Sequence, residues 1–189
     1  MTILYLAIGA GVLALAFALA LALNILKQDP GSETVRSIGR AIQDGANAFL
    51  AREFLMLAVF VVAMFAILAI FIDYDVLDKS PGETPVLPET ALSYLIGALL
   101  SASAGYLGMM IAVRANVRTA NQARTSLNAA LRVAFNSGTV MGMTVVGLGI
   151  LGIAILYMIW EDPRPLTGFA FGASSIALFA RVGGGIFTK

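Results

Sequence analysis

Ile3-Leu-Tyr-Leu-Ala-Ile-Gly-Ala-Gly-Val-Leu-Ala-Leu-Ala-Phe-Ala-Leu-Ala-Leu-Ala-Leu-Asn-Ile-Leu26 carries no charge over its whole length. Between Leu13 and Leu23 its small and large apolar residues alternate, which is the period of a strand. An open strand in lipid would leave its backbone N–H and C=O groups without partners, whereas a helix satisfies them internally. The run also exceeds the roughly 20 residues that a helix needs to cross the hydrocarbon layer. It is therefore read as a membrane-crossing helix. A secretory signal peptide is the competing reading, but no Lys or Arg precedes the run and the run is longer than the roughly 7 to 15 apolar residues of such a peptide.

The rest of the chain follows from this first span. Of its 189 residues 59% are hydrophobic and only 12% charged, and the mean hydropathy is +0.90. A soluble core of this size cannot hide that much apolar surface, so the sequence predicts an integral membrane protein in the lipid bilayer. A net charge of +1 gives no electrostatic footprint for nucleic acid. With neither cysteine nor histidine, disulfides, thiolate metal sites and the usual zinc and general-base constellations are excluded. A metal here would be a hard cation held by oxygens.

Five spans are expected, at about 3–26, 54–72, 91–113, 135–160 and 166–182, giving an all-α polytopic bundle. Asp29-Pro30-Gly31-Ser32 is a turn cluster that ends the first helix, and Ser32 opens the next. From Val35 the apolar residues Val35, Ile38, Ile42, Ala46, Phe49 and Leu50 recur at helical steps, marking an amphipathic helix before the second span. Asp73 to Glu89 is acidic, holds three prolines and reads as an exposed loop. Gly97, Ser101 and Gly105 put small residues on one face of the third span, a pattern for close helix packing. The fourth span is rich in glycine and ends in Tyr157 and Trp160, which suit an interfacial belt.

Charge orients the bundle. Lys27, Arg36, Arg40 and Arg52 lie in the first long connection and Arg114, Arg118, Arg124 and Arg132 in the second, with Arg181 and Lys189 at the tail. Only Lys79 and Arg164 lie on the opposite side. By the positive-inside rule both long connections and the C-terminus are cytoplasmic and the N-terminus is outside.

The tail holds the candidate chemistry. Arg181 follows an apolar stretch, and a cation at that depth requires an acidic partner or a path to the surface. No residue assigned to a span interior is acidic, so the partner is expected outside this sequence unless Arg181 snorkels. Gly183, Gly184 and Gly185 permit close approach of another helix or a ligand, although alone they read rather as a packing or hinge feature. Lys189 places an ammonium at the mouth of the bundle, where it suits phosphoryl oxygens or simply snorkels. Asp29 and Glu33 are one turn apart, but their better reading is an acid-rich helix start, not a metal site.

The segment from Gly172 through Arg181 and the glycines to Thr188-Lys189 resembles the end of the fifth helix of the membrane-bound, ion-translocating inorganic pyrophosphatases. Ala41 to Leu50, Gly97 to Met109 and Val113 to Ala123 resemble the same family in the same order. The resemblance implies that the chain, residues 1–189, is the N-terminal transmembrane region of a larger proton or sodium pump driven by pyrophosphate hydrolysis. It implies a multi-pass protein of a cytoplasmic or vacuolar-type membrane, a homodimer whose remaining helices lie beyond this sequence. It assigns pyrophosphate binding to Lys189 and ion coupling to Arg181. It places the Mg2+ ligands downstream of Lys189, so that neither a metal ligand nor a catalytic residue is expected within this chain, and the chain alone is expected to be inactive. Phe187 stands where the family has tyrosine, which removes a hydroxyl donor. Two other classes compete: a small transporter or channel subunit using Arg181 as an anion site, and a purely structural membrane protein.

Overall fold

A computed structural model describes residues 2–74 and 87–187. Its helices are α1 (Thr2–Lys27), α2 (Glu33–Leu68), α3 (Glu89–Ala123), α4 (Leu127–Trp160) and α5 (Leu166–Phe187), with no strand among the described residues. Among the described residues, five helices are long and apolar enough to cross a membrane. The protein is thus a multi-pass helical membrane bundle, as its apolar runs predict. Most of the expected acidic loop, residues 75–86, lies outside the described residues.

Two helices are longer than the spans within them. α2 runs without a break from the amphipathic stretch through the second span and closes in a π-helical turn at Ala69–Asp73. Its 36 residues measure about 54 Å at about 1.5 Å per residue, well beyond a hydrocarbon layer of about 30 Å. α3 likewise continues through Arg114 and Arg118 to Ala123. The second long connection is therefore mostly helix, interrupted only by a tight turn at residues 124–126. Ser32 occupies the N-cap position of α2 with extended backbone, but its side chain makes no capping bond.

α3 lies at the centre and packs on α2, α4 and α5, while α1 packs on α4. Its contact with α5 is backbone against backbone. A Cβ at Gly97 would strike the Phe169 carbonyl, one at Gly168 the Thr90 carbonyl, and one at Gly172 the Tyr94 carbonyl. The Ser101 hydroxyl adds a bond to the Ala173 carbonyl at 3.0 Å. Gly97 and Ser101 thus serve the close packing expected of them. Gly105 does not, since nothing lies within 4 Å of its Cβ position. On α4, Gly147 meets Gly11 and Leu15 of α1, and Gly152 meets the Phe169 ring.

At the end opposite the arginine-rich connections, Asp73 caps α3. Its two carboxylate oxygens accept the Thr90 N–H at 3.0 Å and the Ala91 N–H at 2.8 Å, satisfying donors that a helix start leaves unpaired. The Trp160 indole N–H donates to Ser93 Oγ at 3.1 Å and ties α4 to α3 at the same end. Large apolar side chains such as Leu13, Val59 and Phe135 face outward, an arrangement suited to lipid or to further helices.

Candidate functional site

The C-terminal end of α1, the first half of α2, the last turns of α3 and the end of α5 gather at the basic end of the bundle. Arg118 ties α3 to the end of α1. Its Nε donates to the Gln28 carbonyl at 3.1 Å and its Nη2 to the Leu26 carbonyl at 3.0 Å. These are carbonyls that the end of α1 cannot satisfy internally, and a cation beside them also complements the helix dipole. Asn121, one turn further along α3, donates to the Asp29 carbonyl at 3.2 Å. Gly31 makes the turn possible with φ of +91°, a conformation that glycine adopts without strain.

The carboxylates of this end are held by arginines. Asp29 accepts the Gly31 N–H at 3.0 Å and faces Arg36 at 3.5 Å. The backbone bond first, and then Arg36 and Asn121, hold its carboxyl below the ordinary value against the opposing effect of burial. Glu33 pairs with Arg40 at 3.1 Å. Among the described residues no three acidic side chains cluster as metal ligands. With Asp29 and Glu33 both engaged by arginines, the donor set here does not fit a magnesium ion.

α5 meets α2 through Gly183. A Cβ at Gly183 would fall on Glu53 Oε1, with the Phe49 ring 3.4 Å away. Among the described residues, Glu53 Oε1 is buried without a hydrogen-bond partner. Beside it lies an apolar cavity of about 430 Å³ lined by Phe49, Met56 and Phe60 of α2 and Phe179 and Val182 of α5. The Phe60 and Phe179 rings meet edge to face at 4.8 Å. Glu53 was not singled out from the sequence, where it looks like any charge closing the polar connection before the second span. Its distinguishing feature is a tertiary contact with a residue far along the chain.

The candidate residues of the tail are only partly brought together. α5 continues through Gly183, Gly184 and Gly185 to Phe187, so the triple glycine is helical and not a break. Gly183 faces α2, whereas the Cβ position of Gly184 is open. Arg181 is exposed on this bundle, and the ion pairs among the described residues, Arg36–Asp29, Arg40–Glu33 and Arg164–Asp162, do not include it. Lys189 lies outside the described residues.

Residues 12–189 match the family described as inorganic H+ pyrophosphatase. The chain belongs to that family. Among inorganic H+ pyrophosphatase relatives, it is 42% identical over 180 residues to a K(+)-insensitive pyrophosphate-energized proton pump of Methanosarcina mazei, covering 95% of this chain and 25% of the relative. It is 47% identical over 181 residues to a Clostridium tetani protein provisionally named a K(+)-stimulated pyrophosphate-energized sodium pump, again over 95% of this chain and 25% of the relative. A K(+)-insensitive pyrophosphate-energized proton pump of Chloroflexus aurantiacus is 39% identical over 188 residues, with 94% and 24% covered. The chain thus spans about a quarter of the length of the curated relatives it matches.

Proposed function

We propose that this chain is the N-terminal five-span region of a pump that couples pyrophosphate hydrolysis to proton or sodium translocation. The observation that carries the reading is the match from the middle of α1 through the end of α5 to relatives named as pyrophosphate-energized proton or sodium pumps. On this reading α1 to α4 are scaffold, Lys189 contacts pyrophosphate, and Gly183 to Gly185 let α5 approach its neighbours. Mg2+, which neutralises the substrate, is held by carboxylates beyond Lys189, and the complete pump is a homodimer. The basic end faces the cytoplasm, supported by the concentration of Lys and Arg on α1, α2 and α3 there.

Arg181 takes the coupling role. It has no ion pair among the described residues, and a guanidinium within a membrane requires a carboxylate or water. Helices beyond this sequence supply that partner.

The test uses the complete gene product in sealed vesicles, with phosphate release and ion uptake measured on the same sample. Pyrophosphate-driven uptake is expected, and its absence in an active preparation overturns the proposal. Arg181→Ala should lose transport while keeping substrate binding, and Arg181→Lys should recover only part, since lysine lacks the planar fork. Normal transport by the alanine variant would make Arg181 merely structural. Lys189→Ala should weaken substrate binding roughly tenfold to hundredfold, the loss of one charge-assisted contact of about 1.5–3 kcal/mol.

A further inference from the structure

A cleft of about 320 Å³ opens between α1, α2 and α3 at the basic end. Arg36 and Arg40 of α2 and Arg114 and Arg118 of α3 line it, with Leu26 and Val117 as its apolar wall. The cleft is held in shape from both sides. Buried Gly39 lets α2 settle on the Val117 side chain, where a Cβ would collide, and Arg118 locks α3 to the end of α1.

The four charges are unequally balanced. Arg36 and Arg40 face Asp29 and Glu33 at the rim. Arg114 donates to the Met110 carbonyl at 3.1 Å, and among the described residues Arg118 donates to the carbonyls of Leu26, Gln28 and Arg114. Carbonyls orient a guanidinium without neutralising it. Burial, and then the like charge of Arg114, works against the charged form of Arg118. An anion in the cleft offsets the repulsion between the two guanidinium groups and favours the charged form against burial.

Guanidinium groups present paired N–H donors in a fork that matches phosphoryl oxygens. Arg114 directly follows the uncharged stretch of α3 that ends at Val113, which sets the cleft at headgroup depth. We infer that this cleft binds a phosphate group, carried by an anionic lipid or by a soluble phosphate. Among the described residues none of α5 lines it, and the inference stands without the Arg181 and Lys189 roles proposed above.

The test places the protein in phosphatidylcholine nanodiscs with and without phosphatidylglycerol. Native mass spectrometry after extraction counts retained phosphatidylglycerol, and phosphorus NMR line broadening in the phosphatidylcholine discs follows inorganic phosphate. Retained lipid assigns the site to a headgroup; broadening without retained lipid assigns it to a soluble anion. In either arm, Arg36→Gln with Arg40→Gln, and separately Arg114→Gln, should weaken binding about tenfold, as expected for lost charge-assisted bonds. Arg124→Gln with Arg132→Gln removes equal charge at the same end outside the cleft and should leave binding within about twofold, because exposed charges contribute little. Arg114→Lys, which keeps the charge and the helix, should fall between. Absence of binding in both arms, or equal loss from the cleft and the control variants, overturns the inference.

Discussion

Glu53 on α2 and Gly183 on α5 are in direct contact: the Glu53 Oε1 atom occupies the place where a side chain at Gly183 would begin. Gly172, about three turns earlier on α5, instead lies against the Tyr94 carbonyl. The two glycines look alike in sequence, but one is crowded by the tip of a flexible side chain and the other by backbone.

Their alanine variants should therefore differ. Gly183→Ala requires only that the Glu53 carboxyl swing aside, so its cost should stay below about 1 kcal/mol. Gly172→Ala forces α3 and α5 apart and should cost about 1–3 kcal/mol or more, the range for overpacking a close contact. Gly149→Ala, with open space at its Cβ position, serves as control. Thermal unfolding of the three variants in one detergent checks the order; equal midpoints for Gly172→Ala and Gly149→Ala would refute the backbone contact.

Removing the buried, unsatisfied Glu53 Oε1 should stabilise the bundle. A buried acceptor without a bond costs about 1–3 kcal/mol, reduced here because Glu53 is only partly buried. Glu53→Met keeps the length of the side chain and extends the apolar cavity wall, so the unfolding midpoint of this chain should rise. A fall in the midpoint would show that the carboxylate has a stabilising partner.

Asp73→Ala should loosen the start of α3. The change frees the Thr90 and Ala91 amides at once, and loss of a helix cap costs about 0.5–2 kcal/mol. Hydrogen exchange should accelerate at residues 90 and 91 while the middle of α3 stays protected. Unchanged exchange at both amides would rule the cap out.

Acidification should loosen the two surface turns only once pH falls below the ordinary carboxylate range. The carboxyl of Asp162 is held down chiefly by the Arg164 side chain and then by its backbone N–H, and that of Asp29 chiefly by the Gly31 N–H and then by Arg36. A lowered folded-state value means that the folded protein binds the proton more weakly than the unfolded one. The contribution is therefore present above the ordinary carboxylate value and is lost as pH falls through the lowered values. Carboxyl chemical shifts should titrate below those of an unfolded reference, and Arg164→Gln should return Asp162 toward it.

The spans were legible because hydropathy reports directly on lipid exposure. What hydropathy cannot report is where a helix stops. Arg114 to Ala123 reads as polar connection, yet the backbone bonds of α3 continue through it, since a helix leaving the membrane needs no apolar face. The roles of Arg118 and Asn121 were hidden for another reason: their partners Leu26, Gln28 and Asp29 are about 90 residues away. Gly97, Ser101 and Gly105 show the limit of spacing rules, as all three share the spacing but only the first two meet α5. Arg181, Gly183 and Gly184 were visible as residues, and the contact that separates Gly183 from its neighbours was not.

The tie between Arg118 and the end of α1 also sets an order of assembly. A ribosome that has delivered only the first helical hairpin has not yet supplied the donors for the Leu26 and Gln28 carbonyls, which must meanwhile be solvated by water or headgroups. The basic end closes only after synthesis has passed Asn121, when the third helix arrives to clasp the first. Nascent chains halted before that point should thus expose the Asp29 turn to proteases, and those halted beyond it should shield it.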